Sequence, residues 1–242
     1  MREVVFTGSA GRLEGKFCQS VVPNSAAVLI LHPHPLHGGT MNNKVVYRLF
    51  HSFVAHHCSV LRFNFRGVGN SQGQFDYGTG EMTDAAAALD WLQSRVPDAS
   101  SYWVAGFSFG SWIAMQLMMR RPEISKFVAV APPVDSFDFS FLAPCPASGL
   151  IIQGMEDEIV KEESVYKLYE RLSKQRNIEI DYQMIDGANH VFDGKLKELD
   201  TILGNYLESH LSYEAPKSKI KKDRRKRQII PHGDINSDSA EN

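Results

Sequence analysis

Tyr102-Trp103-Val104-Ala105-Gly106-Phe107-Ser108-Phe109-Gly110-Ser111-Trp112-Ile113-Ala114-Met115 carries the reading of this chain. An apolar run, Tyr102 to Phe107, reads as a strand, and the apolar spacing from Ser111 to Arg120 reads as a helix. Between them Gly106-Phe107-Ser108-Phe109-Gly110 fits G-x-S-x-G. A turn that sharp leaves almost no room for side chains beside the serine, and glycine meets that demand. The serine hydroxyl is then lifted above the sheet edge, with a helix N-terminus aimed at it. The competing interpretation is an ordinary helix-capping serine after a strand.

Outward from this stretch, short apolar runs alternate with amphipathic ones. Strands are expected at Val4 to Phe6, Leu13 to Cys18, Ala26 to Leu31, Val60 to Phe65, Phe127 to Ala131, Leu150 to Gln153 and Ile178 to Ile185. Helices are expected at Lys44 to Val54, Thr83 to Leu92, Ser164 to Leu172 and Leu196 to Leu211. This β-α-β alternation predicts an α/β fold with an eight-stranded, mostly parallel sheet and helices on both faces. With 242 residues, 43% hydrophobic and 22% charged, the chain has ordinary globular composition. One domain is expected over 1–211.

Periodicity stops near Ser212. Lys217 to Arg227 holds eight lysines and arginines and one aspartate, giving +7; the net charge of −2 then leaves −9 on the rest. Residues 212–242 are expected to form a disordered basic tail. Association of that tail with nucleic acid, anionic lipid or an acidic partner is the less favoured reading. No run of 18 apolar residues is present, so no membrane span is expected. No signal peptide is visible, and Cys18, Cys58 and Cys145 have no motif spacing. Both point to a cytoplasmic protein.

A serine hydroxyl needs a base. Downstream of Ser108, His210 closes the last helix and His232 lies in the tail. His190, in the loop Asp186-Gly187-Ala188-Asn189-His190 after the last strand, is the candidate. The orienting carboxylate should follow a strand. The residues leave Glu156, Asp157 and Glu158 open after one strand, and Asp135 after the strand before it.

Several motifs together resemble the α/β-hydrolase superfamily, near its small dienelactone-hydrolase-like bacterial members, from roughly Val4 to Leu211. The resemblance rests on the serine motif and on Gly154, Asp157 and Val160 in a G-x-x-D-x-x-V segment. It also rests on Gly187 and His190, and on the loops His32-Pro33-His34-Pro35 with Gly38-Gly39 and Asn64 to Ser71. It singles out Asp157 as the acid. Dienelactone hydrolase itself has a cysteine where this chain has Ser108, so its lactone substrate does not carry over.

Acyl transfer also requires donors for an oxyanion. The amide of Phe109 is one; His34, between two prolines that lack N–H, is the other candidate, with Leu36 behind it. His32, His34 and His37 have spacing compatible with zinc, but no further ligand lies nearby, and neither metal nor cofactor is expected. Arg66 is read as holding its loop by an ion pair in preference to binding substrate. Only about fifteen residues separate the sixth and seventh strands, too few for a cap domain. Phe137, Phe139, Phe141 and Leu142 there could shield an acyl group, with Leu36 opposite. The expected activity is hydrolysis of a small ester or thioester through an acyl-Ser108 intermediate. A small acyl-amide peptidase and a non-catalytic scaffold are the alternatives.

Overall fold

The structure, a computed structural model, describes residues 1–211; the basic segment discussed above lies outside them. Eight strands form one sheet: β1 Arg2–Gly8, β2 Gly11–Cys18, β3 Ala27–Leu31, β4 Ser59–Phe63, β5 Tyr102–Phe107, β6 Ile124–Val130, β7 Ser148–Gly154 and β8 Ile180–Ile185, in the order β1-β2-β4-β3-β5-β6-β7-β8. β1 and β2 pair antiparallel to each other, and β2 pairs antiparallel to β4. From β4 to β8 every pairing is parallel. Parallel strands need crossovers: α1 Lys44–Ala55, α2 Thr79–Arg95, α3 Phe109–Met118 and α4 Glu162–Ser173 lie in four of them, the β6–β7 crossover has no helix, and α5 Leu196–His210 follows β8.

The central strands are apolar on both faces because both are covered. Along β3, Ala27, Leu29 and Leu31 pack with α2, α3 and α4, while Val28 and Ile30 pack with α1 and α5. The same alternation runs through β6, with Phe127 and Ala129 on one side and Val128 and Val130 on the other. Among the described residues no helix is long and apolar enough to cross a membrane. Residues 131–147, between β6 and β7, form turns and no helix.

The helix expected from Thr83 begins four residues earlier, at Thr79. The buried Glu81 accounts for this: its carboxylate accepts from the N–H groups of Gly78 (2.7 Å) and Asp76 (3.0 Å), capping a first turn that carries no apolar stripe. In the next turn the fully buried Asp84 receives a forked pair of hydrogen bonds from Arg66, Nε at 2.9 Å and Nη2 at 2.8 Å, and a third from the Arg66 amide at 3.0 Å. Nη2 also donates to Ser9 and Thr83. The hydrogen bond to Asp84 holds the Arg66 guanidinium above its ordinary pKa against the opposing effect of burial. Arg66 therefore clamps the loop after β4 onto α2, as its sequence context suggests. Removing one partner strands the other charge in the core. Asp84→Ala should lower unfolding free energy by about 3–5 kcal/mol, as read from urea denaturation curves.

Candidate active site

Gly106 and Gly110 make the β5–α3 turn sterically possible. A Cβ on Gly106 would lie 2.3 Å from the Gly110 carbonyl oxygen, and one on Gly110 would lie 2.3 Å from that of Leu31. Between them Ser108 holds φ 52° and ψ −122°, a backbone conformation that side-chain-bearing residues rarely adopt. Its amide donates to the Val130 carbonyl at 2.8 Å. Its own carbonyl accepts from the amide (2.8 Å) and hydroxyl (2.6 Å) of Ser111. The strained residue is thus fixed from β6 on one side and α3 on the other.

His190 sits in the loop after β8, with Nε2 3.0 Å from the Ser108 hydroxyl and Nδ1 2.8 Å from Asp157 Oδ2. All three side chains are largely withdrawn from solvent. Asp157 follows β7, and its Oδ1 accepts from the amides of Ile159 and Val160, both at 2.8 Å. Burial alone would raise this carboxyl. The hydrogen bond from His190, the Val160 and Ile159 amides, and the attraction of His190 outweigh it and hold Asp157 below the ordinary range. An ionised Asp157 accepts a hydrogen bond from the Nδ1–H, leaving the Nε2 lone pair for the serine hydroxyl. Glu156 and Glu158 are exposed, and Asp135 is exposed with its carboxylate on the Lys161 amide. Of the four acids left open by the sequence, Asp157 meets the imidazole.

The loops bearing Asp157 and His190 are stitched together. The Met155 amide donates to Ile185 and the Glu156 amide to Ala188, each at 3.0 Å. A Cβ on Gly154 would come within 2.4 Å of the Ala188 oxygen, so the approach requires glycine.

Gln153 was not singled out from the sequence. It is fully buried at the end of β7, and its amide nitrogen donates to Asp157 Oδ2 (3.0 Å) and the Val160 carbonyl (2.9 Å). Its only sequence signal is a polar residue closing an apolar strand. Gln153→Leu removes a donor to the carboxylate and orphans a carbonyl. Asp157 should then titrate at higher pH by carboxyl NMR, with stability reduced by about 1–3 kcal/mol.

The histidine loop divides its tasks. His32 is fully buried; its Nε2 accepts from the Phe65 amide at 3.0 Å and its Nδ1 donates to the Pro33 carbonyl at 2.7 Å. That lone pair is committed to the loop after β4. His34 stacks on His37 at 4.5 Å, and its Nδ1 accepts from the Leu36 amide at 3.2 Å. The Leu36 N–H is therefore engaged, which removes it as the reserve oxyanion donor. Among the described residues no hydrogen bond uses the amides of His34 or Phe109. Leu36 is 65% exposed on a single 3-10 turn, Pro35–His37. Phe137 lies 5.7 Å from Phe109 and 4.4 Å from Trp112, ring to ring. Phe141 stacks at 6.0 Å on Phe139, whose carbonyl accepts from Arg171 of α4.

Burial pushes the His32 pKa down to about 4, against a partly opposing hydrogen bond to Pro33. An unfolded histidine titrates near ~6.5, so between those values the unfolded chain binds the extra proton. Stability carried by neutral His32 is complete above pH ~6.5 and is lost as pH falls toward 4, on the order of 3 kcal/mol in all. Thermal melts over that interval should show this decline, and His32→Gln should flatten it.

A family model described as "alpha/beta hydrolase fold" matches residues 35–147. A protein of unknown function from Agrobacterium tumefaciens is 51% identical, with a TM-score of 0.84 over 88% of this chain and 100% of that one. The chain belongs to the alpha/beta hydrolase fold family. An alpha-beta serine hydrolase homologue from Coxiella burnetii is 34% identical, with a TM-score of 0.76 over 85% of this hydrolase-fold chain and 97% of its own. An α/β serine hydrolase without a lid from Xanthomonas campestris is 30% identical, with a TM-score of 0.81 over 88% of this chain and 96% of its own.

Proposed function

We propose that this α/β hydrolase is a serine hydrolase that cleaves a small ester or thioester through an acyl-Ser108 intermediate. The observation that carries the reading is the continuous relay from Asp157 through His190 to a strained Ser108, with contacts of 2.8 and 3.0 Å. The serine-hydrolase names of the Coxiella and Xanthomonas proteins support it.

His190 Nε2 takes the hydroxyl proton as Ser108 Oγ bonds to the carbonyl carbon. The carbonyl oxygen becomes an oxyanion, received by the amides of Phe109 and His34. Collapse breaks the bond to the leaving oxygen or sulfur, and His190 returns the proton to that atom. A water molecule then repeats the sequence on the acyl-enzyme and releases the acid. Asp157 stabilises the imidazolium in both halves. The chemistry calls on no cofactor. Three free cysteines, Cys18, Cys58 and Cys145, support a cytoplasmic location.

A fluorophosphonate probe should label Ser108 in the native chain and not in Ser108→Ala. Asp157→Asn should lower kcat on a p-nitrophenyl ester by about 10⁴-fold, while Asp135→Asn stays close to the native rate. Full activity in Ser108→Ala would overturn the assignment.

A further inference from the structure

We infer that the acyl group this enzyme accepts is an aromatic acid, its ring lying on a shelf of side chains on the Phe109 side of the serine. The inference rests on the serine-hydrolase reading and adds the substrate class.

The direction of the acyl group follows from proton transfer. His190 must return its proton to the leaving atom, so the leaving group lies toward His190. The acyl group, on another bond of the same tetrahedral carbon, extends away from it. The residues flanking Ser108 separate these two directions. Phe107 turns to the α1 and α5 side, with its ring 5.3 Å from His190 and 6.4 Å from Phe192. Phe109 turns to the opposite core, and its ring neighbours are His34 at 5.0 Å, Trp112 at 5.7 Å, Phe137 at 5.7 Å, Phe75 at 6.0 Å and the buried Phe65 at 6.0 Å.

Phe109 itself is buried and forms the floor, whereas Phe75, Trp112 and Phe137 are only partly covered. Trp112 and Phe137 lie 4.4 Å apart with planes at 32°. The Trp112 indole N–H donates to the Asp138 carbonyl at 3.0 Å, which fixes the ring. A Cβ on Gly78 would sit 2.4 Å from the indole Cζ3, so the glycine lets this ring press against the start of α2.

At the rim, Tyr77 is 82% exposed, with its ring 5.1 Å from Phe75. Its backbone holds φ 49°, a conformation that costs energy in a tyrosine. Residues held in such a conformation cluster at active sites and ligand clamps. No helix from residues 131–147 covers these rings. Fixed ring faces offer stacking and edge-to-face contacts to a planar ring, a gain that an alkyl group of equal size does not share.

The test compares p-nitrophenyl phenylacetate with p-nitrophenyl cyclohexylacetate, which share a leaving group, a chain branch point and a carbon count. In the native enzyme kcat/KM should favour the phenyl ester by about 2- to 10-fold, although cyclohexyl is the more hydrophobic group. Trp112→Leu and Phe137→Leu should bring the ratio close to one. Tyr77→Leu, at an exposed position, should lower it even if those two variants fold poorly. A native ratio of one or less overturns the aromatic shelf while leaving the hydrolase reading intact. Absence of both p-nitrophenyl acetate turnover and fluorophosphonate labelling of Ser108 overturns the hydrolase reading and this inference with it.

Discussion

The passage from β5 into α3 leaves no space for a Cβ two residues before or two residues after Ser108, and much else in the molecule is arranged around that crowding. A Cβ at Gly106 or Gly110 would overlap backbone atoms. The serine is forced to a positive φ, and it stays there because its amide and carbonyl are both held by neighbouring elements. The strain is local, and the parallel strands on either side, buried on both faces, supply the rigidity to hold it.

The same closeness recurs where loops meet at the C-terminal edge of the sheet. Gly154 permits the Asp157 loop to touch the His190 loop, and Gly39 permits the histidine loop to fold back on Pro33. His32 joins the loops after β3 and β4 through one ring, with an uncharged imidazole between a donor and an acceptor. Arg66 ties the second of those loops to Asp84 beneath it. Polar groups buried in this way hold position only when fully partnered, and each of these is anchored by backbone or by an opposite charge.

Two phenylalanines, one before the serine and one after it, face opposite cores because the chain changes from strand to helix between them. Phe107 backs the imidazole, and Phe109 backs a group of rings that nothing in the 131–147 segment encloses. A hydrolase fold without a cap leaves such rings at the surface, where they can meet a ligand.

The sequence by itself determined the sheet, the order of its helices, the serine turn and the histidine loop. Those features are written in local apolar periodicity and in glycines required by short-range geometry. It did not determine where α2 begins, because Glu81 caps that helix without any apolar pattern. It left Glu156, Asp157, Glu158 and Asp135 as alternatives until family resemblance favoured one. Residue type cannot say which of four carboxylates reaches an imidazole 32 or more positions away; the approach of the β7 and β8 loops brings Asp157 there. Gln153, Phe75 and Trp112 were likewise invisible, since a lone glutamine and scattered aromatics have no periodicity, whereas Phe137 was already legible as a candidate shield for an acyl group. Only tertiary structure decided them, because contacts between residues far apart in the chain depend on how the strands are ordered and how closely their loops are allowed to meet.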